Sequence, residues 1–269
     1  MFDAMVHHKI DTEGLEFRVV MEDVESLNQR AIRNELDISK ISFAAYARAT
    51  ENYILLNAGS ALGNGVGPLV IARDQFPVSE LNGKRTAVPG RNTTADFLFS
   101  IFFPGAKDKT VMVFSEIEDA VLTGAVDAGV IIHENRFTYG LKGLKKICDL
   151  GELWEKETGE AIPLGGIAVK RNLPEEVKQK VDRVMRRSVE YAFANPGSSH
   201  EYVKEHAQEM DEEVRRKHIA LYVNEYSIDL GAKGRHAVET LFQKAKDIGI
   251  LHPFPGNIFI NKIVELSNG

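Results

Sequence analysis

Sulfur chemistry is nearly missing from this chain. Among its 269 residues there is one cysteine, Cys148, so no disulfide can close within it and no cysteine-only metal site can be built. No apolar run approaches the roughly 20 residues that a membrane span needs. Neither sign of charge dominates. The 33 lysines and arginines are interspersed with 39 aspartates and glutamates, for a net charge of -6. That balance argues against a nucleic-acid partner, whose phosphates ask for a basic face. Met1 to Gly14 lack the basic flank and apolar stretch of a secretory signal, so the cytoplasm is the expected compartment. The histidines show no metal-ligand spacing: His7 and His8 are adjacent, while His200, His206, His218 and His236 lie scattered in helical sequence and are expected on the surface. What is present is an ordinary globular composition, 43% apolar and 27% charged, in a chain long enough for one large domain or two lobes.

Periodicity outlines the elements. Residues 15–21 read as a strand, 24–35 as a helix and 36–42 as a strand that stops at Ser42 before a further helix. Residues 53–59, 68–73, 110–114 and 163–171 also read as strands, with a glycine-rich loop from Gly59 to Gly67. Lys84 to Phe103 gives strand, turn and helix, with Thr93 or Thr94 at the helix start. Ser115 and Glu118 have capping-box spacing, and Gly124 ends the helix they would open. Helices are expected at 174–194, 198–207, 211–223 and 232–248. Alternating strands and helices imply a parallel α/β sheet. Residues 67–73 and 165–171 resemble each other and are expected to cross between two lobes as a two-strand hinge. That division puts 1–70 with 172–269 in one lobe and 71–171 in the other, with a ligand cleft between them.

In parallel sheets, ligands sit at the carboxyl ends of strands. Three segments place polar groups there. Ser42 precedes a helix and is either an ordinary cap or, with the exposed N–H groups of that helix, an anion site. Thr94 and Ala95 open another helix, where the same two readings hold. The apolar run Ala128 to Ile132 ends on His133, with Glu134, Asn135 and Arg136 directly after it. A histidine at a strand end is either structural or a general base facing the crevice. Glu134 and Arg136 either orient it or are solvated loop charges. The stretch Gly63 to Gly67 lacks the lysine of a phosphate-binding loop and precedes a strand, so it reads as an approach to the hinge.

The stretches YILLNAGSALGNGVGPLVIAR, AVPGRNTTA, IIHENRFTYGLKGLKKICDLGELWEKETGEAIPLGGIAVKR and RRSVEYAFANP, taken in order, resemble the 1,4-dihydroxy-6-naphthoate synthases of the futalosine route to menaquinone. The resemblance runs almost end to end. It implies a two-lobed fold like that of type II periplasmic binding proteins. It implies a lyase that converts cyclic dehypoxanthine futalosine to 1,4-dihydroxy-6-naphthoate and dihydroxyacetone, with no cofactor and no metal. The family's base falls on His133, and its substrate contacts fall on Asn28, on Lys40, Ile41 and Ser42, and on Thr94 and Ala95. The expected partner is a small-molecule carboxylate, with no nucleic acid and no membrane.

The family opens with a strand and a loop of pattern Ser-Pro-Cys-Pro-Asn-Asp-Thr, whereas Met1 to Ile10 here match the helix after that loop. On that basis the first lobe is expected to lack its first strand, with a cost in stability and activity. Two alternatives share the fold: a protein that binds a small carboxylate without chemistry, and the sister chorismate dehydratase of the same pathway. The IIHENRFTY stretch argues against the second.

Overall fold

A computed structural model describes residues 1–133, 135–206, 211–249, 251 and 256–261. Nine strands are found among them: β1 (Ile38–Ser42), β2 (Tyr53–Leu55), β3 (Ala61–Gly63), β4 (Leu69–Ala72), β5 (Thr86–Val88), β6 (Lys109–Val111), β7 (Ala128–Ile131), β8 (Lys145–Asp149) and β9 (Ile162–Lys170). They form two sheets. In the first, β9 is central and pairs antiparallel with β1, β2 and β3. The second has the order β6-β5-β7-β4-β8. There β5 runs parallel to β6 and β7, while β4 runs antiparallel to β7 and β8.

The expectation of simple parallel sheets is therefore corrected. Alternation of strands and helices is the same in sequence whichever way a strand runs. β4 and β9 both start where the chain crosses between the sheets, and each heads outward against its neighbours. The registers fix the polarity: Leu69 sits opposite Ile131 and Asp149, and Gly165 opposite Ser42. The carboxyl ends of β1, β5, β7 and β8 thus all point to one crevice. β9 pairs wholly within the first sheet, from Ile162 to Lys170.

Close backbone approach explains two glycines. A Cβ on Gly165 would stand 2.6 Å from the carbonyl oxygen of Ile41, and one on Gly67 would stand 2.2 Å from the nitrogen of Gly151. The first seats β9 on β1, and the second seats the crossover on helix Leu150–Thr158. The glycine-rich loop accordingly holds a strand, β3, that its glycines hide from a periodicity reading.

Each sheet buries its faces under helices. Val181, Val184 and Met185 of helix Glu175–Ala194 pack on Ile54, Leu56, Ile167 and Val169. Helix Gly231–Asp247 brings Val238, Leu241 and Phe242 against Phe43, Tyr46 and Leu55 in the largest core. Ile117 and Val121 cover Leu69, Ile71 and Ala87. Among the described residues no helix is long and apolar enough to cross a membrane.

Three local expectations fail. Residues 15–21 form no strand, because Leu15 and Phe17 pack inward while Val19, Val20 and Met21 stay 40–53% exposed without a ladder partner. Ser115 and Glu118 make no capping box, since a 3₁₀ turn at Phe114–Glu116 precedes helix Ile117–Leu122 and the buried Glu118 instead takes Lys142 at 2.7 Å. β8 and helix Leu150–Thr158 were not expected at all.

Candidate active site

The crevice between the sheets holds a cavity of about 380 Å³, within the range of small-molecule sites. His133 reaches it because β7, four buried small or apolar residues, ends at Ile131 and the chain then turns sharply. The turn puts His133 at φ 57°, in the left-handed region that few residues other than glycine adopt. Arg136 braces it. One guanidinium nitrogen donates to the carbonyl of Gly67 and another to Asp149 Oδ2 at 2.6 Å, a pair whose acid is fully buried. Asp149 also caps helix Leu150–Thr158 by accepting from the N–H of Gly151 at 2.8 Å. Arg136 is thus a strut joining the turn to the crossover, not a solvated charge. Glu134 lies outside the described residues.

The His133 ring has Phe114 edge-on at 5.2 Å on one side and His218 at 5.8 Å on another. Enclosure by the cleft walls and then the positive charge of Lys40 push its pKa down to about 3. Its ring is neutral at ordinary pH and available to take a proton. Lys40 extends into the same cavity from β1. The residue as a whole is exposed, yet the surrounding protein lowers its pKa by desolvation.

Across the cavity, helix Thr94–Phe102 starts with its N-cap at Thr93, whose hydroxyl accepts from the N–H of Asp96 at 3.2 Å. Thr94 and Ala95 are therefore the first helical residues. Their N–H groups face the site with no acceptor among the described residues, as anion-binding helix starts do. The Thr94 hydroxyl is engaged, donating to the carbonyl of Leu164 at 2.6 Å.

Ser42 lines the cavity, yet its hydroxyl is occupied both ways. It accepts from the N–H of Ala45 at 3.1 Å and donates to the carbonyl of Asn92. Ile41 contributes backbone only, its side chain being in the core. Asn28 does not line the cavity. It is fully buried, accepting from the N–H of Ser42 at 2.9 Å and donating to the carbonyl of Asn92 at 3.1 Å. Its role in this arrangement is to hold two cleft segments together.

Sequence reasoning missed one wall of the site. Helix Glu212–Tyr222 lies over the cleft and lines it with Arg215, His218, Ile219 and Tyr222. His206 borders it as well while staying exposed, so the expectation of surface histidines holds there and fails for the half-buried His218. The spacing 215, 218, 219 and 222 is a single helical face. It mixes polar and apolar residues too evenly to register as a core stripe. Among the described residues, no three histidine, cysteine or acidic groups cluster as a metal site. Cys148 is buried and its thiol pKa is pushed up to about 12, chiefly by desolvation, so it is inert.

Relatives give this geometry a context. A curated protein of Thermus thermophilus named 1,4-dihydroxy-6-naphthoate synthase is 44% identical over 260 residues, covering 97% of this chain and 94% of its own. A protein of the same name from Streptomyces coelicolor is 41% identical, covering 93% of this chain and 90% of its own. Among solved structures, protein AF1704 from Archaeoglobus fulgidus superposes with a TM-score of 0.88 at 37% identity, over 93% of each chain. The ligand-binding component of an ABC-type import system from Staphylococcus aureus shares the fold alone, with a TM-score of 0.68 at 12% identity over 92% of this chain and 86% of its own. The two lobes are therefore those of a periplasmic-binding-protein-like fold. The family described as menaquinone biosynthesis matches residues 1–247, and with these relatives it establishes that the chain belongs to that family.

Proposed function

We propose that the chain is a lyase that converts cyclic dehypoxanthine futalosine to 1,4-dihydroxy-6-naphthoate and dihydroxyacetone, with His133 as the base. One observation carries the reading: a neutral imidazole and the open N–H groups of Thr94 and Ala95 face one cavity from two strand ends. The substrate carboxylate sits on that helix start, with Lys40 as a nearby cation. His133 takes a hydroxyl proton. The O–H electrons become the carbonyl of the departing three-carbon fragment as the carbon–carbon bond breaks. The bond electrons pass to a ring carbon conjugated with a carbonyl, whose oxygen becomes an oxyanion. The proton returns from His133 as the aromatic ring forms. No atoms or electrons enter or leave, so the chain need supply only position, charge stabilisation and one proton relay.

The bound carboxylate also offsets the charge of Lys40, which raises the basicity of His133 when substrate is present. We further propose that the lobes hinge at residues 64–68 and 159–161, and that the compartment is the cytoplasm. The test is incubation of the purified chain with cyclic dehypoxanthine futalosine, following naphthoate and dihydroxyacetone together. Equimolar release of the two supports the reading. Substrate recovered bound but unchanged would make the chain a non-catalytic carboxylate binder instead.

A further inference from the structure

Helix Glu212–Tyr222 brings a second imidazole to the cavity that holds His133. The His218 ring centre stands 5.8 Å from that of His133, tilted by 57°, and 4.7 Å from that of Tyr222. Both imidazoles line the same cleft, one from each side of the crevice. The Nε2 atom of His218 is buried and has no hydrogen-bond partner among the described residues. Buried polar atoms without partners are rare and call for an explanation. The torsion that turns an imidazole about its Cβ–Cγ bond is soft, so this ring can present its nitrogen to the cavity it already borders. Desolvation and Lys40 push the His218 pKa down to about 4, so the ring is neutral and offers one N–H donor.

We propose that His218 is a further catalytic residue, whose Nε2–H meets the substrate oxygen that gains negative charge as the carbon–carbon bond breaks. This rests on the reaction proposed above. In that step His133 carries the proton and His218 carries none; its N–H strengthens toward the oxygen as charge develops. Neutrality suits the task. An imidazolium at this position would face the Lys40 charge, whereas a neutral ring donates without gaining or losing a proton. The tilt and spacing of the two rings set base and donor beside neighbouring atoms of one ligand.

The test compares His218→Phe, which keeps a flat ring and loses the donor, with His218→Gln, which keeps an N–H at similar reach. His218→Phe should lower kcat and kcat/KM together by about a hundredfold, the effect of removing one oxyanion donor. His218→Gln should recover at least about a tenth of wild-type turnover, and both should melt as wild type does. Turnover of His218→Phe within about threefold of wild type overturns the proposal, as does a glutamine variant no better than the phenylalanine one. A second arm does not need turnover. In protein labelled with ¹⁵N-histidine, saturation with 1,4-dihydroxy-6-naphthoate should shift the ring nitrogens of His218 along with those of His133. If wild type converts no cyclic dehypoxanthine futalosine, the reaction proposed above fails. In that case a His218 shift retains the residue as a ligand contact, and its absence removes it.

Discussion

Asn92 holds Glu25 by two bonds. Its backbone N–H donates to Oε2 at 3.2 Å and its side-chain amide to Oε1 at 2.7 Å. Its remaining polar atoms also cross to the first lobe. The carbonyl takes Asn28 and Ser42, and Oδ1 takes Arg48 at 3.0 Å. A turn at the end of β5 is thereby plugged into helix Val24–Ile32 and the end of β1, which closes the crevice along one side.

Asn92→Ala removes the two side-chain bonds, each worth about 0.5–1.5 kcal/mol. The expected result is a more open cleft, with KM raised about tenfold and a larger radius of gyration in solution scattering. An unchanged radius together with KM within about twofold would show that these bonds do not hold the lobes.

His133→Ala should lower turnover at least about a hundredfold, the usual weight of a general base, with circular dichroism unchanged. Near-normal turnover would remove His133 from the mechanism.

The carboxylate site can be seen directly. Crystals grown with a small dicarboxylate should place its oxygens within hydrogen-bond distance of the Thr94 and Ala95 N–H groups. The Ser42 hydroxyl should join only where it has released the Asn92 carbonyl. A carboxylate found on Arg215 alone would overturn this placement.

Acid should destabilise the fold through the two cleft histidines. Their folded pKa values are about 3 and about 4, below the ordinary 6.5. Below pH 6.5 the unfolded chain takes up protons that the folded rings refuse. The stabilisation is therefore complete above that pH and declines between pH 6.5 and the folded values. Melting curves of wild type and of the doubly substituted His133→Gln, His218→Gln protein should run closest above pH 6.5 and separate most at pH 5, where wild type has lost stability that the variant keeps. The acid limb of kcat/KM should likewise lie below pH 6.5 for the free enzyme. A limb centred at 6.5 would mean that water at the cleft mouth solvates His133 as fully as bulk solvent does.

Much of the crevice was legible because strand ends and helix starts leave local marks. Ser42 and Thr94 stand where apolar runs stop, and His133 closes a run of small buried residues. Strand direction left no such mark, so the reversal of β4 and β9 emerged only from their pairing. β8 was hidden because two exposed lysines, Lys145 and Lys146, fill its first positions on the sheet edge. The amide of Asn28 joins Ser42 to Asn92, a contact 64 residues away in sequence that no local pattern encodes. The histidine on helix Glu212–Tyr222 was set aside for the same reason: what that helix covers depends on the tertiary fold.

The backbone at position 133 sits at φ 57°, where glycine rests without strain and alanine does not. Glycine is therefore the replacement the chain itself favours, and it would leave a hole of imidazole shape at the end of β7, in the wall of a cleft that admits small molecules. Imidazole dissolved in the buffer should dock in that hole. His133→Gly protein should regain turnover in proportion to added imidazole and show no response to an aliphatic alcohol of equal size. The reaction could then be started and stopped from outside, by supplying its base as a reagent.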